Sequence, residues 1–312
     1  MVTFVGLIRT LTVLREPYLV LIMKFSKKRR LVTFRNGVKL RLTWSQFRDL
    51  RDSYGSMQKY DIKQVENDLF KVSFDNFDVA APMSMVCPVG DLVQRYAVER
   101  VDNNVFNITG DMFELVGSLP MLRTFWELEG GEYSSDVRGK VVLDVGGFEG
   151  ESAVFFSMMG AKKVIVYEPV KAHHVFIKEN VMRNNVNAEI HEEGIGARNG
   201  TQVLYYDEKA ILTFGLLSKG QFKMEINVRD VAEVIAESGA DVAKFDCEGA
   251  EKFLVNVPVE TLRKIGFYMI EVHYSEAMRR AIIKKFIASG FSLVKSNIKG
   301  PDTGTIWLSL KK

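Results

Sequence analysis

The chain has 312 residues, 47% hydrophobic and 26% charged, with a formal net charge of +3. That balance excludes a disordered or fibrous chain and leaves room for one large or two modest folded domains. The charge is too small to argue for nucleic acid without a clustered patch, and two distant cysteines, Cys87 and Cys247, exclude a disulfide framework or a cysteine-rich zinc site and fit a reducing, cytoplasmic setting.

Val2 to Met23 is strongly apolar and is followed by the basic run Lys24 to Arg30. Arg9, Arg15, Glu16 and Pro17 cut it into pieces too short to span a bilayer, and it lacks the leading charges and cleavage site of a secretion signal. Two short amphipathic helices packed on the domain are expected, with peripheral contact of residues 1–30 with an anionic membrane as the alternative. Leu31 to Leu42 reads as two alternating strands joined by Asn36-Gly37, a strong hairpin signal. A helix is expected over Trp44 to Tyr54 and a strand or strand pair over Phe70 to Val79. Gly90 to Val101 and Asp111 to Leu128 have helical patterns, the second bent or restarted at Pro120, with Phe113, Phe125 and Trp126 as core. The polar, glycine- and serine-rich run from Glu129 to Gly139 marks a boundary. It separates an α+β extension over 1–130, a candidate cap or substrate region, from a regular domain over 131–312.

The regular part begins with Val141 to Val145, an apolar run carrying one acid, Asp144, and leading into Gly146, Gly147 and Gly150 before a helix from Glu151. A buried strand, a glycine turn and a helix make a nucleotide-binding entrance. The spacing is DxGGxxG rather than GxGxxG, and Asp144 and Glu149 are poor company for phosphates. Acids suit a ligand with a cationic ammonium or sulfonium and neutral hydroxyls, a description that S-adenosylmethionine meets. The next strand, Lys163 to Tyr167, ends in Glu168, where an acid accepts hydrogen bonds from ribose hydroxyls.

Strands and helices then alternate, which predicts an α/β fold with a parallel sheet covered on both faces. An extra hairpin is expected at Gln202 to Tyr206 and Lys223 to Val228. A final antiparallel pair is expected at Phe291 to Ser296 and Thr305 to Leu310. Ligands bind beyond the carboxyl ends of such strands. Those ends carry Asp144, Glu168, Glu193 with Gly194, Asp246 with Glu248, and Glu271 with His273.

The block VAKFDCEGAEKFLVNVP, Val242 to Pro258, with Phe267 to His273, resembles the later signature blocks of the FkbM-like methyltransferases, and LDVGGFEGES and VYEPVKAHHVFIKENVMRNNV resemble the earlier ones. The likeness covers about Gly139 to Leu310 well and Leu31 to Tyr60 loosely. It implies a class I S-adenosylmethionine-dependent methyltransferase, usually acting on oxygen, with a Rossmann-like seven-strand methyltransferase sheet whose last strand is antiparallel. By the same resemblance Asp144, Gly146, Gly147 and Gly150 would line the methionine part of the cofactor, Glu168 the ribose, and Glu193 to Ile195, including Gly194, the adenine. Family members often have alanine and asparagine where this chain has Gly147 and Phe148, so Phe148 would reshape the pocket floor.

The chemistry expected is attack of a substrate oxygen on the sulfonium methyl, with removal of one proton. His273 is the first choice of base because imidazole titrates near neutrality, Glu248 is a base or substrate anchor, and Asp246 would hold the cofactor's ammonium. Glu251 reads as an ion-pair partner of Lys252 or another surface cation, and His173 and His174 as exposed helix residues. No metal site is expected. The acceptor expected is a small molecule, sugar or glycan, with an RNA ribose, a noncatalytic cofactor-binding module and a nicotinamide oxidoreductase as competing readings. The segments 61–130 and 207–221 are expected to recognise it.

Overall fold

The computed structural model of the chain describes Arg15, Met23 and residues 28–34, 37–48, 50, 60–66, 69–102, 104–206, 222–273, 275–300 and 303–311. The expected N-terminal helices, the second half of the helix from Trp44, Asn36 and the loop at 207–221 lie outside the described residues. Two compact units form: residues 1–110 with 117–126, and 111–116 with 127–312.

The first unit opens with β1 (Arg30–Thr33) and β2 (Lys39–Leu42), paired antiparallel as the hairpin reading requires. Their alternation buries Val32, Leu40 and Leu42 on one face. Next come β3 (Asp61–Gln64), β4 (Phe70–Ser73) and β5 (Asp78–Ala81), an antiparallel meander. Helix α1 (Met83–Arg95) follows Pro82, whose extended backbone starts the helix seven residues before the expected Gly90. It also ends sooner, because Ala97–Asp102 is strand β6, paired antiparallel with β7 (Val105–Gly110). The expected long helix from Asp111 is likewise replaced by β8 (Phe113–Ser118) and then α2 (Leu119–Glu129), with Pro120 tolerated in the first turn. Both errors have one cause: Val98 and Val101 in β6, and Phe113 and Val116 in β8, are β-formers whose three-residue spacing also suits a helix.

The second unit is built on a seven-stranded sheet. Its strands are β9 (Val141–Val145), β10 (Lys163–Tyr167), β11 (Ala188–His191), β15 (Val242–Phe245), β16 (Phe267–Val272), β17 (Phe291–Ile298) and β18 (Gly304–Leu310). Their order is β11-β10-β9-β15-β16-β18-β17. β9, β10, β11, β15 and β16 run parallel, and β18 is antiparallel to both its neighbours. The expected antiparallel last strand is therefore present. The helices are α3 (Glu151–Met158), α4 (His174–Arg183), α5 (Val231–Ser238), α6 (Val259–Leu262) and α7 (Glu276–Ala288). Asp230 and Ser275 cap α5 and α7 by accepting from first-turn amides. A side sheet holds β12 (Gly194–Gly196) parallel and β13 (Gly200–Tyr206) antiparallel to β14 (Phe222–Asp230). The hairpin of that sheet is expected from the sequence; the β12 strand is not. Leu143, Val145, Phe245, Tyr268, Ile270 and Phe286 lie in the main core, which explains why the central strands read as continuous apolar runs.

Candidate functional site

The parallel strands send their carboxyl ends to one margin, and the chain reverses direction of travel across the sheet between β10 and β15, the two neighbours of β9. That switch point is where open α/β sheets bind ligands. The turn after β9 is forced to be glycine by packing. Gly146 has φ +85°, and a Cβ there would lie 1.7 Å from the Asp246 carbonyl oxygen; one on Gly147 would lie 2.2 Å from Val166 Cγ1. Asp144 is fully buried beneath this turn. Its carboxylate accepts from Ser152 Oγ and, at 2.9 Å, from Lys244 Nζ, which also donates to the Gly146 carbonyl at 2.7 Å. Lys244 stands directly opposite Asp144 in the β9–β15 register. Burial pushes its ammonium pKa down, but Asp144 and Asp246 outweigh burial and hold it above the usual lysine value.

Glu168 closes the turn from the β10 side. Its Oε2 accepts from the Phe148 amide at 3.1 Å and its Oε1 from the Val170 amide at 2.8 Å. Asp144 and Glu168 thus belong to one locality, on adjacent strands. His173 and His174 are not exposed, contrary to the sequence reading: both are buried. His173 Nδ1 lies 3.2 Å from Glu168 Oε1, and His174 Nε2 hydrogen-bonds to the Glu168 carbonyl at 2.6 Å. The reason is the 3₁₀ turn Lys171–His173 ahead of α4, which folds the pair back over the strand end. Phe148 has φ +45°, and its ring meets His173 edge-on at 4.6 Å. Gly194 is buried, and a Cβ there would touch Pro169 and Ile226, so it sits beside the residue that follows Glu168; Glu193 precedes it, half-buried.

The third locality joins the ends of β15 and β16. His273 Nδ1 is 3.0 Å from Glu251 Oε1, while Nε2 is 3.7 Å from Asp246 Oδ1, 3.7 Å from Glu248 Oε1 and 3.8 Å from Glu271 Oε1. Glu251 is no surface partner of Lys252: it is fully buried, and its carboxylate accepts from the amides of Cys247 and Gly249 at 3.1 and 2.9 Å. It shapes the turn that carries Glu248, whose own φ is +51°. Tyr133 hydrogen-bonds to Asp246 Oδ2 at 3.0 Å and Glu271 Oε2 at 2.8 Å, and Lys299 donates to Glu271 Oε1 at 3.0 Å. A phenol has one proton, so both Tyr133 contacts are satisfied together only when one of the two carboxyls carries a proton of its own. Burial, reinforced by Asp246, pushes the Glu271 carboxyl in that direction.

These groups set each other's charge. Burial raises Asp246, but Lys244, His273, Lys299 and the Tyr133 hydrogen bond outweigh it and hold the carboxyl below its ordinary value. Burial pushes Glu248 up to about 7, with His273 opposing and Asp246 and Glu251 adding to the rise. Burial lowers His273, yet the Glu251 hydrogen bond and the Glu248 and Asp246 charges lift it to about 10. A pKa of about 10 leaves His273 protonated at neutral pH. Asp246, Glu271 and His273 offer ligand atoms all within 4.8 Å of one another, but Tyr133 and Lys299 already engage the carboxylates, and no metal is assigned. Tyr133, Lys244 and Lys299 were not singled out from sequence. Lys244 had a signal, as the lone charge in a buried strand opposite the lone acid of another.

The strand order and the turn define a Rossmann-like methyltransferase fold. No family model and no curated protein matches the chain. Among solved structures, ribosomal protein L11 methylase from Lactobacillus delbrueckii subsp. bulgaricus is 15% identical, covering 61% of this chain and 80% of its own, with TM-score 0.36. The B. subtilis M1A22 tRNA methyltransferase TrmK is 14% identical over 59% of this chain and 65% of its own, with TM-score 0.36. SMU.776, a candidate methyltransferase complexed with SAH, is 9% identical over 88% of this chain and 85% of its own, with TM-score 0.47.

Proposed function

We propose that this chain is an S-adenosylmethionine-dependent methyltransferase of the FkbM-like kind that methylates a hydroxyl on a small molecule, sugar or glycan. The observation that carries the reading is the gathering of Asp246, Glu248, Glu271 and His273 at the ends of β15 and β16, against the glycine turn. This donor set fits a cationic cofactor: carboxylates surround the turn, and no arginine contributes to the interactions described there. Bound, the cofactor would supply an electrophilic methyl on a sulfonium. Asp246, kept ionised, would take the cofactor's ammonium, and Glu168, fixed by two backbone amides, would take a ribose hydroxyl. Gly194 and Glu193 would border the adenine.

Glu248 is the base in this reading. A carboxyl with pKa about 7 is half ionised at neutral pH and takes a proton in the transition state more readily than an ordinary carboxylate. His273 would keep its proton and hold Glu248, Asp246 and Glu271 in position. The cations at this margin are already paired with carboxylates, which supports a neutral acceptor over a polyanion. Isothermal titration with S-adenosylmethionine and its demethylated product, followed by a methyl-transfer screen over hydroxyl compounds and RNA, tests the reading. Binding of neither, or tight binding of NAD instead, would overturn it.

A further inference from the structure

Lys244 does more than neutralise Asp144. It is the only charged residue of the buried strand β15. A counter-ion needs one contact, whereas this ammonium makes two, to Asp144 Oδ1 at 2.9 Å and to the Gly146 carbonyl at 2.7 Å, and it lies 5.3 Å from the centre of the Tyr133 ring. Gly146 is the residue at which the chain leaves β9 with a positive φ, and it lies so close to the carbonyl of Asp246 that a Cβ on it would strike that oxygen. The amides of Gly146 and Gly147 both donate to the Tyr167 carbonyl, at 2.8 and 3.3 Å. The turn is thus tied to β10 by its amides and to β15 by its carbonyl. We infer that Lys244 is a positioning residue that clamps the glycine turn through the Gly146 carbonyl and, through the same contact, fixes where Asp246 stands. The clamp stands on these contacts alone, whereas its consequence for a bound cofactor rests on the proposed function.

Three variants of the full chain separate the clamp from simple charge compensation: Lys244→Met, Asp144→Asn and the double Asp144→Asn/Lys244→Met. Lys244→Met leaves a carboxylate buried without its cation and lowers the melting temperature. The double variant removes both charges and regains it. A clamp predicts that amide exchange at Gly146 and Gly147 in the cofactor-free protein stays about tenfold or more faster in the double variant, and unchanged in Asp144→Asn, because the lost bond is charge-assisted. Titration with S-adenosylhomocysteine then weakens by about tenfold, and more steeply toward about pH 5.5, as Asp246 loses a cationic neighbour. The other groups facing Asp246 are unaltered in every variant: Tyr133, Cys247, Glu248, Glu271, His273 and Lys299. Restored turn protection in the double variant would overturn the inference and reduce Lys244 to a counter-ion. If the wild-type chain bound no S-adenosylhomocysteine, the cofactor reading would fall, and the exchange data would still decide the clamp. Should Lys244→Met not fold, the other two variants carry the same comparison.

Discussion

At neutral pH the imidazole of His273 is charged and the carboxyl of Glu248 is half ionised, because one is surrounded by acids and the other is buried among them. The two residues therefore carry opposite expectations. With Glu248 as base, kcat/KM rises as pH passes through about 7. Glu248→Gln then lowers kcat by roughly 10²–10⁴ while leaving the affinity for S-adenosylhomocysteine within about twofold. Steady-state rates over pH and a titration of the variant check both; an unchanged kcat would remove the base role. For His273 the consequence is stability. Its folded pKa of about 10 lies above the ordinary 6.5, so the stabilisation is complete below the lower value and disappears as pH rises through the upper one. His273→Gln should accordingly melt below the wild type by the widest margin near about pH 6, with the gap closing toward about pH 10. A margin independent of pH would mean that the imidazole acts by packing alone.

Helix α4 fixes two things at once through Asn180, which is fully buried. Its side-chain amide donates to the Val116 carbonyl at 2.9 Å and to the Glu149 carbonyl at 2.8 Å, and its oxygen accepts from the Val116 amide at 2.7 Å. Replacing it by alanine strands three backbone groups, each costing about 1–3 kcal/mol when buried without a partner, so Asn180→Ala should destabilise by several kcal/mol in urea or thermal unfolding. A loss below about 1 kcal/mol would show that water takes over those bonds. Nothing in the sequence distinguishes Asn180 from a solvated helix residue, since a polar group at one helical position is buried or exposed according to what packs on it. The same limit hides His173 and His174. By contrast, β9, β10, β15 and β16 were legible because strands buried on both faces have no polar alternation to blur. The misread elements, 97–102 and 113–118, are mixed apolar and polar runs in which periods of two and of three to four coexist. Within the site, strand-end acids could be placed by topology. Glu251 could not, because an acid one turn beyond a loop points outward or inward depending on whether backbone amides turn to meet it, as those of Cys247 and Gly249 do.

Over the whole chain the charge is slightly positive, +3, and the margin that holds the candidate site carries no large surplus of either sign: Asp246, Glu248, Glu251 and Glu271 face Lys244, His273 and Lys299, with Glu248 half ionised and Glu271 pushed toward its protonated form. A global charge therefore says little about what approaches the reacting atoms; the local field does. A phosphodiester brought to this margin would meet cations already paired with carboxylates rather than the surplus of lysine and arginine that gives nucleic-acid binding its strength, whereas a neutral hydroxyl compound needs no such surplus. Salt distinguishes the two. An acceptor held through six or more phosphates would lose roughly a thousandfold in affinity between about 50 and 200 mM salt. A neutral acceptor has no counterions to release, so its KM should change by less than about twofold over that range, with kcat steady. Steady-state methyl transfer to the best acceptor from a screen, repeated across this salt series, measures the slope directly. A steep slope would mean that the acceptor is a polyanion gripped by basic groups away from this margin, and the assignment of a neutral hydroxyl compound would have to be abandoned.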